Sequence, residues 1–158
     1  MMADSQSTDW VEVVLEQHRK LRSEVGQVES FLAAPRPVAG EKGSHVWAVA
    51  LSQRLLALHD ELFQHFRFEE DADAKEELFA MHPEATRKLE EVFREHPTML
   101  RELRHIVSDA LSYSEGINPE DPQLRRRIAG LLEQFHQHEQ EENHLFQRME
   151  YRDVGGVD

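Results

Sequence analysis

The 158-residue chain has no cysteine. That excludes disulfides, thiolate metal ligands and iron–sulfur clusters, so any metal must be held by nitrogen and oxygen. Basic residues are scarce as well, 18 against 31 acidic ones, for a formal charge of -13. A nucleic-acid backbone or an anionic membrane surface would be repelled at long range, and neither is an expected partner. There is no long apolar run: the longest, Val46 to Leu51, is far too short to span a bilayer. The first residues, with Asp4 and Asp9, lack the charged-then-apolar order of a signal peptide. A cytoplasmic protein is the expectation. The alternating pattern of strands is missing too, and the length suits one domain, residues 1–158.

Histidine, by contrast, is abundant, with ten spread from His18 to His144. Their meaning depends on whether they converge. Apolar residues at Val11, Val14, Leu15, Leu21, Val25, Val28 and Leu32 recur at intervals of three and four, predicting a helix over about 9–33, with Asp9 and Glu12 as a capping pair. Prolines 35 and 37 with Gly40 and Gly43 break it. A second helix, about 44–70, carries Trp47, Leu51, Leu55, Leu58 and Leu62. A polar interruption follows at Asp71 to Asp73, then a short turn over Glu77 to Met81. Pro83 suits the first position of a third helix, about 83–114, with Leu89, Val92, Leu100, Leu103, Val107 and Leu111 as its stripe. Gly116, Asn118 and Pro119 end it. Asp121 and Pro122 read as N-cap and first-turn proline of a fourth helix, about 121–150, which runs to a Gly155-Gly156 tail. The expected fold is all-α, an up-down-up-down antiparallel four-helix bundle.

The two halves echo one another. Helices 1 and 3 each hold a histidine in their apolar stripe, His18 and His96. Helices 2 and 4 each hold a histidine followed four residues later by a glutamate, His65 with Glu69 and His138 with Glu142. Residues four apart sit one turn apart on one helix face, so each pair aims an imidazole and a carboxylate at one point. All four histidines interrupt apolar stripes and so face the bundle interior. Burying them together with two carboxylates costs several kcal/mol per unpaired ion, in the range of about 3–5 kcal/mol. A pair of metal ions offsets that cost, with carboxylates bridging and neutral imidazoles completing each coordination sphere. This donor set suits iron, manganese or zinc better than magnesium or calcium.

The order His, His-x-x-x-Glu, His, His-x-x-x-Glu, with Glu141-Glu142 shortly before Leu145-Phe146, resembles the hemerythrin-like cation-binding domain over nearly the whole chain. The resemblance implies two iron ions with an oxo or hydroxo bridge, Glu69 and Glu142 as bridging ligands, and His18, His65, His96 and His138 as terminal ones. It also implies a small oxidant or gas, such as oxygen, peroxide or nitric oxide, as the molecule met at the site. A ferritin-like site is disfavoured, because Glu-x-x-His occurs only in helix 4, at Glu133-His136 and Glu141-His144. Oxygen-carrying hemerythrins have His-x-x-x-His in the third helix and His-x-x-x-x-Asp in the fourth, whereas Leu100 and Asn143 stand at those positions here. One histidine ligand is missing, which implies a more open site and favours reactivity, peroxidase- or oxidase-like, over reversible oxygen carriage.

Of the remaining histidines, His59 and His144 each lie six residues from a proposed ligand, about 120° round the helix and roughly 9 Å along it, too far to reach the same metal. His45, His82, His105 and His136 are expected at the surface or just behind the site, with His59 the foremost candidate to join it. Pro97 lacks the N–H of a helix interior, so the third helix should kink there or begin anew with His96 as its cap, re-aiming His96.

Overall fold

The computed structural model describes residues 2–34, 42–114 and 122–155. Among them every regular element is helical: α1 (Met2–Ala33), α2 (Lys42–Glu70), α3 (Ala72–Met81), α4 (Pro83–Phe93), α5 (His96–Ser114) and α6 (Pro122–Gly155). α2 lies against α1 and α5, α6 against α4, α5 and α1, and α3 against α1 and α4. None of the described helices is long and apolar enough to cross a membrane.

Several boundaries differ from the sequence expectation. α1 begins at Met2, so Asp9 lies inside the helix and is not its cap. α2 begins at Lys42, which takes Gly43 and Ser44 into the helix. The prolines at 35 and 37, Gly40, Gly116, Asn118, Pro119 and the Asp121 cap lie outside the described residues, but Pro122 does open α6. α6 continues through Gly155 rather than stopping near 150.

Asp71 alone interrupts the chain after α2, and a full helix, α3, replaces the expected polar break and short turn. α3 is tied down by Lys75. Its Nζ donates to the Glu69 main-chain carbonyl, one of the acceptors that the end of α2 leaves open. The same ammonium lies 5.0 Å from the Phe79 ring and 4.9 Å from that of Phe93, so a charged residue becomes part of the interior by capping a helix and facing two rings.

The expected third helix is two helices. Pro83 opens α4 at the first position, where its missing N–H costs nothing. The chain turns at Arg94 and Glu95, and α5 starts at His96, placing Pro97 in a first turn. Glu95 accepts the Met99 N–H at 3.1 Å and is the residue from which α5 starts. The interruption therefore precedes His96 by one residue. The buried face of α5 is Met99, Leu103, Ile106 and Ala110, three, seven, ten and fourteen residues beyond His96, with Val107 beside it. Leu100 is only partly buried and Leu111 is 43% exposed, so the predicted stripe is displaced by one residue at those two positions.

The apolar interior falls into two clusters. The larger takes Leu21, Val25 and Val28 of α1, Leu51 to Phe66 of α2, the α5 face, and Leu124 to Phe135 of α6. The smaller takes Trp10, Val11 and Val14 of α1, Leu78 of α3, Leu89, Val92 and Phe93 of α4, and Leu145, Phe146 and Met149 of α6. Each fully buried Leu or Phe contributes about 1.5–3 kcal/mol. Along α1, α6 and the α4–α5 segment, the residue that separates one cluster from the other is a histidine.

Candidate metal centre

The layer between the clusters contains all six residues singled out in the sequence. His18, His65, Glu69, His96, His138 and Glu142 are each no more than 3% exposed. α1 delivers His18 and the start of α5 delivers His96. One turn each of α2 and α6 delivers the His-Glu pairs. The donor atoms form two overlapping groups, His18, His65, Glu69 and Glu142, and Glu69, His96, His138 and Glu142, within each of which they lie within 4.8 Å of one another. Both groups share the two glutamates.

Every imidazole turns Nε2 inward onto a carboxylate. His65 Nε2 lies 3.0 Å from Glu69 Oε1 and His96 Nε2 lies 3.5 Å from the same oxygen. His18 Nε2 lies 3.3 Å from Glu142 Oε2, and His138 Nε2 pairs with Glu142 Oε1. Across the site, His96 Nε2 and His138 Nε2 are 3.1 Å apart. Rings restrain the imidazoles: Phe66 stacks on His96 at 3.7 Å between centroids, and Phe146 stacks on His18 at 6.4 Å.

Three of the four outward nitrogens have a hydrogen-bond partner from another segment, and His96 Nδ1 has none. His18 Nδ1 donates to Asn143 Oδ1 at 2.9 Å and His65 Nδ1 donates to Gln17 Oε1 at 2.7 Å. His138 Nδ1 donates to Glu95 Oε2 at 3.1 Å, while Glu70 Oε1 stands 3.5 Å from His96 Nδ1. An amide oxygen only accepts, so the contacts of His18 and His65 place a proton on Nδ1 and leave the Nε2 lone pair facing the glutamates.

The electrostatics follow from burial. His65 is pushed down to about 3, chiefly by burial, and burial also lowers His96. Burial opposes the charging of His138, but the Glu142 and Glu95 carboxylates beside it outweigh burial and hold its pKa above the ordinary value. Burial and the neighbouring Glu142 charge push Glu69 well up. Burial pushes Glu142 up, but Glu69 and the imidazoles of His138, His18 and His96 beside it favour its charged form and leave it well below the usual range.

Both carboxylate oxygens of Glu69, both of Glu142 and His65 Nε2 are buried without a hydrogen-bond partner. So many orphaned acceptors in one layer call for a cation among them. Two such cations would each find two imidazoles and two shared carboxylates, a set that fits a borderline transition ion.

The other histidines stand apart. His59 belongs to neither group and pairs with Asp60 at 3.5 Å, although its Nε2 is buried without a hydrogen-bond partner. His136 pairs with Glu29 at 3.6 Å, and His45, His105 and His144 are exposed. His82, expected at the surface or just behind the site, is not at the surface: it is 5% exposed at the N-cap of α4. The backing residues Gln17, Glu70, Glu95 and Asn143 were not singled out in the sequence for that role. Their one signal is adjacency, since each is the immediate chain neighbour of a member of the site.

No curated protein and no solved structure matches the chain. The model of the hemerythrin HHE cation-binding domain matches residues 9–149, an interval that contains all six buried donors. With that match over most of its length, and with buried His/Glu groups able to hold metal between its helices, the chain belongs to the hemerythrin HHE cation-binding family.

Proposed function

We propose that the chain is a non-haem di-iron protein that binds or reacts with a small oxidant, oxygen, peroxide or nitric oxide, in a single four-helix domain. In this reading α1, α2, the α4–α5 segment and α6 run alternately up and down, and His18, His65, Glu69, His96, His138 and Glu142 are the ligands. The observation that carries it is the sharing of Glu69 and Glu142 by two groups of four buried donors, with their oxygens otherwise orphaned. Bound iron would supply redox chemistry and open coordination positions for the small molecule.

The chain's own part is to orient and to exclude water. Gln17 and Asn143 hold His65 and His18 with Nε2 inward. Leu100, part-buried against the larger cluster, stands where the oxygen carriers have a further histidine, so no fifth imidazole enters the layer. A surface groove is lined by Val92, Glu95, His144 and Leu145, and the Glu95 carboxylate there accepts from His138 Nδ1.

Metal analysis with an absorption spectrum of the protein carrying its native metal tests the proposal. Two irons per chain with a carboxylate-bridged di-iron spectrum are expected, and one zinc per chain would overturn it. Manganese is the other rival. Mixing the diferrous protein with oxygen or peroxide then tests reactivity, with a spectral change or turnover as the expected result.

A second reading, iron or oxygen sensing without turnover, draws on the same orphaned carboxylates. Without cations, Glu69 and Glu142 stand unpaired between two clusters, which should loosen the bundle. Proteolysis should be much faster without iron, and equal resistance would count against sensing. A reversible oxygen binder is the remaining variant, and a persistent oxygenated spectrum would distinguish it.

A further inference from the structure

The two metal-binding groups share Glu69 and Glu142, so any difference between them must come from their histidines and what stands behind those histidines. Behind His18 and His65 are two neutral amides, Asn143 at 2.9 Å and Gln17 at 2.7 Å. Behind His138 and His96 are two carboxylates: Glu95 accepts from His138 Nδ1 at 3.1 Å, and Glu70 Oε1 stands 3.5 Å from His96 Nδ1, a charge contact without a hydrogen bond.

An imidazole whose Nδ1–H faces a carboxylate donates more strongly through Nε2, because the carboxylate draws the Nδ1 proton and stabilises positive charge on the ring. An amide orients the ring equally well but adds no net charge. Other charges nearby leave this contrast standing. Glu139 Oε1 is 4.0 Å from His18 Nδ1, but Arg22 binds the same oxygen at 2.8 Å and offsets its charge. Lys75 donates to the main chain of Glu69, which is common to both groups.

Resting on the dinuclear reading above, we infer that the two positions are graded. The His96/His138 position, backed by carboxylates, takes a divalent transition cation first and holds it more tightly. The His18/His65 position, backed by amides, fills second and exchanges. The chain therefore passes through a defined state with one ion, located between α5 and α6, and the α1–α2 side completes the site.

Cobalt(II), read by its visible absorption, is a suitable probe of the full metal-stripped chain. Two binding steps are expected, separated by about 10–100-fold in affinity. Glu95→Gln should weaken only the tighter step, by about tenfold or more, and Asn143→Asp should strengthen only the weaker one. Should the stripped chain fail to stay folded, chelator extraction from the cobalt-loaded protein reads the same order. One ion should leave fast and one slowly, and Glu95→Gln should accelerate only the slow phase. Two equal steps, or a Glu95→Gln effect confined to the weaker step or divided equally between both, would overturn the grading while leaving a dinuclear site intact. Uptake of fewer than two cobalt ions per chain would overturn the dinuclear reading and the grading together.

Discussion

Asn143 and His18 are 125 positions apart in the chain and 2.9 Å apart in space, with His18 Nδ1 donating to the Asn143 side-chain oxygen. The contact belongs to a ring. Gln17, beside His18, holds His65 of α2; Glu70, beside Glu69, faces His96 of α5; Glu95, beside His96, holds His138 of α6; and Asn143, beside Glu142, returns to α1. Each segment supplies both a donor to the centre and the support for a donor on the next.

Asn143→Ala should therefore act at a distance from its own helix. It leaves His18 Nδ1 buried without an acceptor, which costs about 1–3 kcal/mol. Urea unfolding of the metal-stripped variant would measure that loss. Cobalt(II) affinity at the His18 position should fall by about 10–100-fold. An unchanged unfolding midpoint would show that the hydrogen bond does not form in solution.

The shared glutamates should stabilise the protein only when metal is present. Both are 0% exposed and their oxygens lack hydrogen-bond partners, so the stripped protein bears desolvation that no hydrogen bond relieves. Replacing a buried ionic cluster by apolar residues of similar size is often neutral or stabilising, by up to about 1–4 kcal/mol. The double variant Glu69→Met, Glu142→Met should bind no metal and unfold at higher urea concentration than the stripped parent. A lower midpoint would mean that the carboxylates contribute to the stability of the metal-free bundle.

Much of this centre was legible before the structure because its four histidines interrupt apolar stripes and two of them are followed one turn later by a glutamate, a conflict with burial that a bound cation relieves. His65 with Glu69 and His138 with Glu142 need only a four-residue repeat to share a face. The supporting residues were less legible. Glu95 and Asn143 look like ordinary polar neighbours, and their partners lie on other helices, 43 and 125 positions away. Lys75 hid α3, since a charged residue in a polar stretch gives no sign that it will end up under two aromatic rings. The restart at His96 was legible from Pro97, because a missing N–H is a local fact. The displacement at Leu100 and Leu111 was not, because those leucines lie about 100° round the helix from the buried Met99 and Ala110, and apolar character alone does not choose the phase.

Acid should destabilise the metal-stripped protein through His65. Its folded pKa, lowered by burial from 6.5 to about 3, means that the unfolded chain binds a proton the folded chain refuses between those values. Stability from this group is thus complete above about pH 6.5 and is lost progressively down to about pH 3. Glu69, raised by burial, has the opposite sign and costs stability as pH rises above 4.5. The two overlap, so the informative quantity is the difference between parent and His65→Gln. The parent should lose stability more steeply by up to one proton, about 1.4 kcal/mol per pH unit, across the acid window. Parallel pH profiles for the two proteins would contradict a neutral, buried His65.

Metal removal should be felt more by the smaller apolar cluster than by the larger. The smaller one draws on α3, α4 and the first part of α1, and its link to the centre runs through rings: Trp10 meets Phe146 edge-on at 5.5 Å, and Phe146 stacks on His18 at 6.4 Å. Trp47 stacks on Phe31 at 5.8 Å beside the larger cluster. With only two tryptophans in the chain, Trp47→Phe and Trp10→Phe isolate one reporter each. Zinc is the suitable load because its filled d shell does not quench by absorption or paramagnetism, so emission then reports packing. Stripping zinc should shift Trp10 emission to longer wavelength as His18 loosens and Phe146 follows, while Trp47 emission moves little. Equal shifts at both reporters would mean that the two clusters melt as one unit, and no shift at Trp10 would mean that the cluster around it holds without the metal layer.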